Sequence, residues 1–335
     1  MNPTPIGKKV RSHRVGDLIV YALSCRSMSG PTIGIVGLGL MGRSVSQRLL
    51  DADYTVWGFD LDGDARDRFA RAGGHVGDSP AAVAETADIV ISSLPTPAIV
   101  EAVYLADDGI QAGATPGTIA CEMSTIDPAT TRRIAGAVDR IQLLDTPVSG
   151  GPEDAARGSL MVIGGGDEAT FHRDDVQAVL GTLGQRVYYA GPVGAGHTVK
   201  LLNNVMSAGN LLLAMEVISL GVASGVEAET LNEILPTTGG SSKQLEKRLP
   251  RVLNRNFEPG FTVGYARKDV GLAVDYAESL DIPLQLSAFI HRLYIAATAA
   301  GFDGDDMCST VKLFEEHTAI PVEADEPVDE TFEGY

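Results

Sequence analysis

Residues 196–204 read GHTVKLLNN and set Lys200 four positions before Asn204. On a helix that spacing puts both side chains on one face. An ammonium beside an amide could exchange a proton with an oxygen and hold that oxygen in place. Lysine is scarce in this chain, seven residues among 335, and arginine takes most basic positions. Lys200 is therefore a candidate for chemistry rather than surface charge. His197 stands one turn earlier on a similar face as a supporting residue at most, and Asn203 is expected to point elsewhere.

A second constellation lies upstream. GLGLMG (37–42) follows the β-branched run TIGIV (32–36) and precedes the apolar-periodic RSVSQRLLDAD (43–53), which is strand, turn and helix. Gly37 suits the tight turn, Gly39 lets the backbone approach a pyrophosphate, and Gly42 lets the helix pack on the strand, with Leu38, Leu40 and Met41 between them. The free N–H groups of the helix start would face the phosphates. Asp60 closes the next strand, TVWGFD (55–60), 18 residues after Gly42, where a ribose-binding carboxylate is expected. It fits the two ribose hydroxyls of NAD and would repel the 2′-phosphate of NADP, although Arg66 on the following helix leaves NADP open.

The elements that must position these residues alternate regularly. DIVISSLP (88–95), GTIACEM (117–123), IQLLDTPV (141–148), LMVIGGG (160–166) and RVYYAG (186–191) read as strands with helical stretches between most of them. That order predicts an α/β domain with a largely parallel sheet covered on both faces. From 196 to 224 apolar residues recur at helical spacing with only Lys200 and Glu216 charged, which predicts a buried helix of about 43 Å at 1.5 Å per residue. Residues 227–317 read as helices with short loops. The division expected is a basic leader (1–30), a nucleotide-binding domain (31–193), a helical domain that includes the long helix (194–317), and an acidic disordered tail (318–335).

The formal charge of −18 and pI near 4.6 make nucleic acid and anionic membranes poor partners, since both need a basic face. No sequence run approaches the roughly 18 apolar residues of a membrane span. Three scattered cysteines point to neither a disulfide framework nor a zinc site and suit a reducing, cytoplasmic compartment. Six histidines without HExxH or HxH spacing predict no metal site. The leader carries Lys8, Lys9, Arg11, Arg14 and Arg26 against Asp17. Its apolar run LIVYAL is too short for a signal segment, so Met28 is the expected start of the working protein. The Asp-rich, Lys-poor surface resembles that of proteins from salt-loving organisms.

Six blocks in order, GLGLMG, SSLP (92–95), STIDP (124–128), DTPVSGG (145–151), GHTVKLLNN and RKD (267–269), resemble those of the β-hydroxyacid dehydrogenases, the family of 3-hydroxyisobutyrate dehydrogenase and tartronate semialdehyde reductase. The resemblance covers about residues 31–317. It implies an N-terminal Rossmann-type domain joined by a long interdomain helix to an all-helical C-terminal domain. It also implies NAD- or NADP-dependent interconversion of a small 3-hydroxy acid and its semialdehyde.

By the same resemblance, Lys200 is the general acid/base, worth about 10² to 10⁴ in rate, and Asn204 holds the substrate beside it. Ser149, Gly150 and Gly151 offer a hydroxyl and backbone N–H groups to the carboxylate, each charge-assisted bond contributing about 1.5–3 kcal/mol. Leu94 and Pro95 line the cofactor, Thr125 lies beside the nicotinamide, and Lys268 reaches the cofactor from the helical domain. The substrate's far end would meet PTTGGSSKQL (236–245), with Lys243 or Arg248 as candidate selectors of a second acid group. Of the acids considered, 3-hydroxyisobutyrate is favoured.

The alternatives are an NADP-dependent tartronate semialdehyde reductase, an imine reductase, whose fold is similar but which generally lacks the lysine, and a cofactor-binding protein without turnover. The uncharged long helix predicts a homodimer or homotetramer through the helical domain.

Overall fold

The structure, a computed structural model, describes residues 30–332. The expected leader, apart from Gly30, lies outside the described residues. Among the described residues, nine strands form one sheet: β1 (Ile33–Val36), β2 (Val56–Phe59), β3 (His75–Val76), β4 (Ile89–Ser92), β5 (Thr118–Glu122), β6 (Ile141–Asp145), β7 (Val148–Ser149), β8 (Leu160–Gly165) and β9 (Gly184–Gly191). Their order is β3-β2-β1-β4-β5-β6-β8-β7, with β9 on β8. Every residue of β1, β4 and β5 is buried, as strands covered on both faces require. The chain leaves β1 towards β2 on one side and reaches β4 on the other. This reversal opens a crevice above the carboxyl ends of β1 and β4.

The sheet is parallel from β3 to β6, and the strand direction then reverses at β8. IQLLDTPV is not one strand: it breaks at Thr146 and Pro147 into β6 and β7, because a proline has no N–H for the ladder. β8 runs antiparallel to both pieces and carries β9 in parallel on its other edge. β3, only two residues long and directly after Gly73-Gly74, was not legible as a strand. One face of the sheet buries Val45, Leu49, Phe171 and Leu180, and the other buries Val83, Val100, Tyr104 and Ile134. STIDP turns from β5 into the helix Pro128–Ala137, whose cap is Asp127: its carboxylate accepts from Thr130 N at 2.8 Å. Proline at the first helical position needs no such acceptor.

The long helix is Ala195–Ala223. By length and composition it could cross a membrane. Here it is the axis of the helical domain, burying Leu211, Leu212, Met215 and Ile218 against Leu249, Val270 and Tyr294. Its opposite face leaves Val199, Leu202, Met206, Leu213, Val217 and Leu220 exposed. The helices Lys243–Leu253, Val263–Glu278, Gln285–Ala299 and Val311–Thr318 pack around it.

The segment expected as a detached acidic tail is instead laid along this domain. Residues 319–332 form no helix or strand, yet Val322 is fully buried, and Ala324 and Val328 pack on the helical core. Asn254 Nδ2 donates to Val328 O and Glu330 Oε1, both at 2.8 Å, and Val328 N donates back to Asn254 Oδ1 at 2.8 Å. Apolar residues spaced among the acids give the segment an inner side, which its charge count had concealed.

Candidate active site

The glycine turn is shaped by its neighbours. Gly37 has φ +95°, and a Cβ there would stand 2.2 Å from Ser93 O. At Gly42 a Cβ would stand 1.8 Å from Gly37 O. Both are demanded by the chain's own packing. Gly39 is different: a Cβ there would meet nothing within 4 Å, so the space over it is open. It is also the N-cap of the helix Leu40–Asp51, with no side chain capping it and no acid in the first turn. The helix thus offers its N–H groups and positive end to an anion. Leu40, 71% exposed, and Met41 flank that opening. An open cradle at a bare helix N-terminus fits a pyrophosphate.

Asp60 lies beside it. Its Oδ2 accepts from Leu38 N at 2.6 Å and its Oδ1 from Asp62 N at 2.9 Å, which fixes the carboxylate at the end of β2. Arg66 folds back to the same strand end, its Nη1 donating to Asp60 O at 2.6 Å. Leu94 and Pro95 follow β4, and Leu94 N donates to Ser124 Oγ at 2.8 Å. Thr125 O in turn accepts from Lys268 Nζ at 2.8 Å, a hydrogen bond between the Rossmann and helical domains.

Lys268 continues the chain of contacts. Its ammonium is 2.9 Å from Asp269 Oδ1, and Asp269 Oδ2 accepts from Asn204 Nδ2 at 2.5 Å. Asn203, expected to point elsewhere, donates from Nδ2 to Asn204 Oδ1 at 3.0 Å. Lys200 is 9% exposed, and burial pushes its ammonium below the ordinary lysine value. Lys268 acts the same way, while the charge of Asp269 opposes both. Thr125, Lys268, Asn204 and Lys200 are therefore brought to one place.

The substrate loop needs a correction. Ser149 ends β7 and Gly150 and Gly151 form the turn after it; Gly150 has φ +125°, with Leu160 Cδ2 2.8 Å from any Cβ. The N–H of Gly151, however, donates to Asp154 Oδ2 at 2.8 Å. That leaves the hydroxyl of Ser149 and the N–H of Gly150 as the donors of this loop. Arg248 is not a free selector either. It is buried, with Nε 3.0 Å from Asp306 Oδ1 and Nη1 bonded to Gln244. Lys243 is exposed on the same helix.

Comparison with known proteins matches both halves of the chain. Residues 32–191 match the NAD binding domain of 6-phosphogluconate dehydrogenase. Residues 194–314 match the domain described as NAD-binding of NADP-dependent 3-hydroxyisobutyrate dehydrogenase. The 2-(hydroxymethyl)glutarate dehydrogenase of Eubacterium barkeri is 32% identical over 293 residues, 87% of this chain and 97% of its own. The probable mitochondrial 3-hydroxyisobutyrate dehydrogenase of Dictyostelium discoideum is 34% identical over 292 residues, 84% and 90% of the two chains. The chain belongs to the β-hydroxyacid dehydrogenase family. It is an NAD(P)-dependent 3-hydroxyacid dehydrogenase of the 3-hydroxyisobutyrate dehydrogenase type. The solved 3-hydroxyisobutyrate dehydrogenase of Mycobacterium tuberculosis with L-serine has the same fold, with a TM-score of 0.79 at 29% identity over 85% of this chain and 99% of that one.

The site of this dehydrogenase contains residues that reading the sequence did not single out. Asp269 is one, although it carried a signal. The helix Val263–Glu278 buries Val263, Ala266, Val270 and Ala273, and an acid on that apolar face must meet a cation or a donor. Glu122 and Asp145 are the others. Each is an acid ending an apolar strand at the carboxyl edge of the sheet, and each is fully buried.

Proposed function

We propose that this dehydrogenase uses NAD to interconvert a small 3-hydroxy acid and its semialdehyde, with 3-hydroxyisobutyrate as the favoured substrate and Lys200 as the group that moves the proton. The observation that carries this reading is Lys200 buried one turn before Asn204 on the long helix, where burial first, and Lys268 after it, push its ammonium below the ordinary range against the charge of Asp269. When bound, the nicotinamide supplies the hydride acceptor. In oxidation, neutral Lys200 takes the hydroxyl proton. In reduction, its ammonium polarises the carbonyl and returns the proton. Asn204, held by Asp269 and Asn203, keeps one amide N–H for the substrate oxygen. The Ser149 hydroxyl and the Gly150 N–H receive the carboxylate.

NAD is supported by Asp60 at the ribose position and by Arg66 being turned back onto Asp60 O instead of standing free for a phosphate. Lys200 weighs against an imine reductase, and the completeness of the site weighs against a protein without turnover. The test is a panel of 3-hydroxyisobutyrate, glycerate, serine, 4-hydroxybutyrate and 6-phosphogluconate with NAD and NADP. The expected result is a kcat/KM for 3-hydroxyisobutyrate with NAD at least about tenfold above the rest, some 1.4 kcal/mol of discrimination. A preference for NADP would overturn the cofactor assignment, and another acid in first place would overturn the substrate.

The exposed stripe of Val199, Leu202, Met206, Leu213, Val217 and Leu220 on the long helix supports a homodimer or homotetramer, in which a second copy covers it. Light scattering is expected to give at least twice the chain mass, and a monomeric mass at working concentration would remove this assembly.

A further inference from the structure

The first turn of the long helix is seated on a buried polar cluster that the reaction described above does not use. His197, one turn before Lys200, has no exposed surface. Its Nε2 is 3.0 Å from Ser124 O and 3.0 Å from Glu122 Oε2, the latter off the axis of the ring N–H. Its Nδ1 is 2.7 Å from Thr131 Oγ1 and 3.9 Å from Asp145 Oδ2. Its backbone N–H donates to Asp145 Oδ2 at 3.0 Å, while Gly194 N donates to Oδ1 at 2.8 Å. Asp145 thus caps a helix that has no cap in its own sequence, by charge and hydrogen bond together.

Glycine lets the helix come this close. A Cβ on Gly196 would stand 2.4 Å from Ile163 O and 2.9 Å from Asp145 Oδ2. On the far side, Glu122 Oε1 accepts from Ser124 N at 3.1 Å and from Ser92 Oγ at 3.4 Å, and Ser92 meets Tyr104 OH at 2.9 Å. The groups facing the imidazole are therefore Glu122 from β5, Ser124 from the loop after β5, Asp145 from β6 and Thr131 from the helix Pro128–Ala137. Two buried carboxylates and an imidazole are costly to desolvate, and an apolar cluster of similar volume would often serve stability as well. What an apolar cluster would lack is direction. The Nε2 bond of His197 ends on a segment that touches the site: Ser124 holds Leu94 N, and Thr125, next in sequence, receives Lys268.

We propose that His197 is a positioning residue of the reaction: it fixes the rotation and depth of the first turn of the long helix against the Ser124–Thr125 and Leu94 loops, and so places Lys200 relative to the nicotinamide end of the crevice. This role rests on Lys200 being the acid–base group. Burial pushes the imidazole towards its neutral form, but the adjacent carboxylate of Glu122, followed by that of Asp145, outweighs it and favours imidazolium.

The full-length variants His197→Phe, His197→Gln and Lys200→Met test it, read by kcat, KM, the pH profile of kcat, NADH binding through cofactor fluorescence, and melting temperature. His197→Phe is expected to lower kcat about 10²-fold, the scale of an ångström misplacement, with NADH affinity and substrate KM close to wild type. The pH inflection of kcat should shift. His197→Gln retains an N–H for Ser124 O and should recover a large part of the loss. If His197→Phe does not fold, the same comparison passes to His197→Gln and Thr131→Val.

A variant that melts earlier but keeps wild-type kcat and pH profile when folded would reduce His197 to a structural residue and overturn the proposal, as would loss of NADH binding. Full activity in Lys200→Met would remove the acid–base reading and this role together. An inactive Lys200→Met beside fully active His197 variants would overturn only the positioning role.

Discussion

Replacing Lys200 with methionine should lower kcat by about 10² to 10⁴ in both directions and leave NADH binding in place. Methionine keeps most of the length and apolar stem and removes the proton donor. Since burial holds the ammonium below 10.5 in the folded enzyme, wild-type oxidation, which needs the neutral amine, should rise with pH through an inflection below that value. Reduction, which needs the ammonium, should fall through the same region. Both limbs should vanish in the variant. The same depression has a thermodynamic sign. The unfolded chain binds this proton more tightly than the folded one, so at neutral pH the charged lysine disfavours folding. Lys200→Met is therefore expected to melt no earlier than wild type. A variant with unchanged turnover and an unchanged pH profile would end the assignment.

The largest loss of stability should come from a residue outside the site. Asp306 is fully buried and receives Arg248 Nε at 3.0 Å, Phe261 N at 3.0 Å and Cys308 N at 3.1 Å, with Arg251 Nη1 3.2 Å away. Removing the carboxylate leaves a buried guanidinium at Arg248 without its counter-charge. Asp306→Ala should cost about 3–5 kcal/mol, read from the denaturant midpoint. Arg248, Arg251 and the two backbone donors hold the Asp306 carboxyl below its usual range despite burial. Its contribution is then present above the unfolded value near 3.9 and lost as pH falls through the lower folded value. Acid unfolding of the wild type should accordingly begin only below about pH 4 at this site, and a change under about 1 kcal/mol in the variant would contradict the pairing.

The Rossmann half was legible because its signals are local. The glycines of 37–42, the β-branched runs and Asp60 at the strand end each follow from backbone geometry within a few residues. The long helix was legible for the same reason, through 29 residues of apolar spacing. What was hidden depended on pairing across the fold. Arg248 reads as a free cation until Asp306, 58 positions away, is beside it. Gly151 reads as a free donor until Asp154 folds back on it, and the acidic tail reads as solvated until Val322 finds a pocket. Glu122, Asp145 and His197 come from three elements, and only their burial together gives them meaning.

The long helix is held at one end. Asp145 and His197 pin its first turn to the Rossmann half, while its remaining length belongs to the helical domain, so it behaves as a lever with the fulcrum beside Lys200. For a rod of about 43 Å, a tilt of about 5° about the pinned end moves the far end by about 4 Å and Lys200, five residues in, by less than about 1 Å. In any tilt about that end, the far half of the helix would sweep further than the proton-transferring group. A family can then refit the wall that meets the substrate's distal end, from a hydroxymethylglutarate to a hydroxyisobutyrate in the relatives' names, without retuning the lysine at the fulcrum.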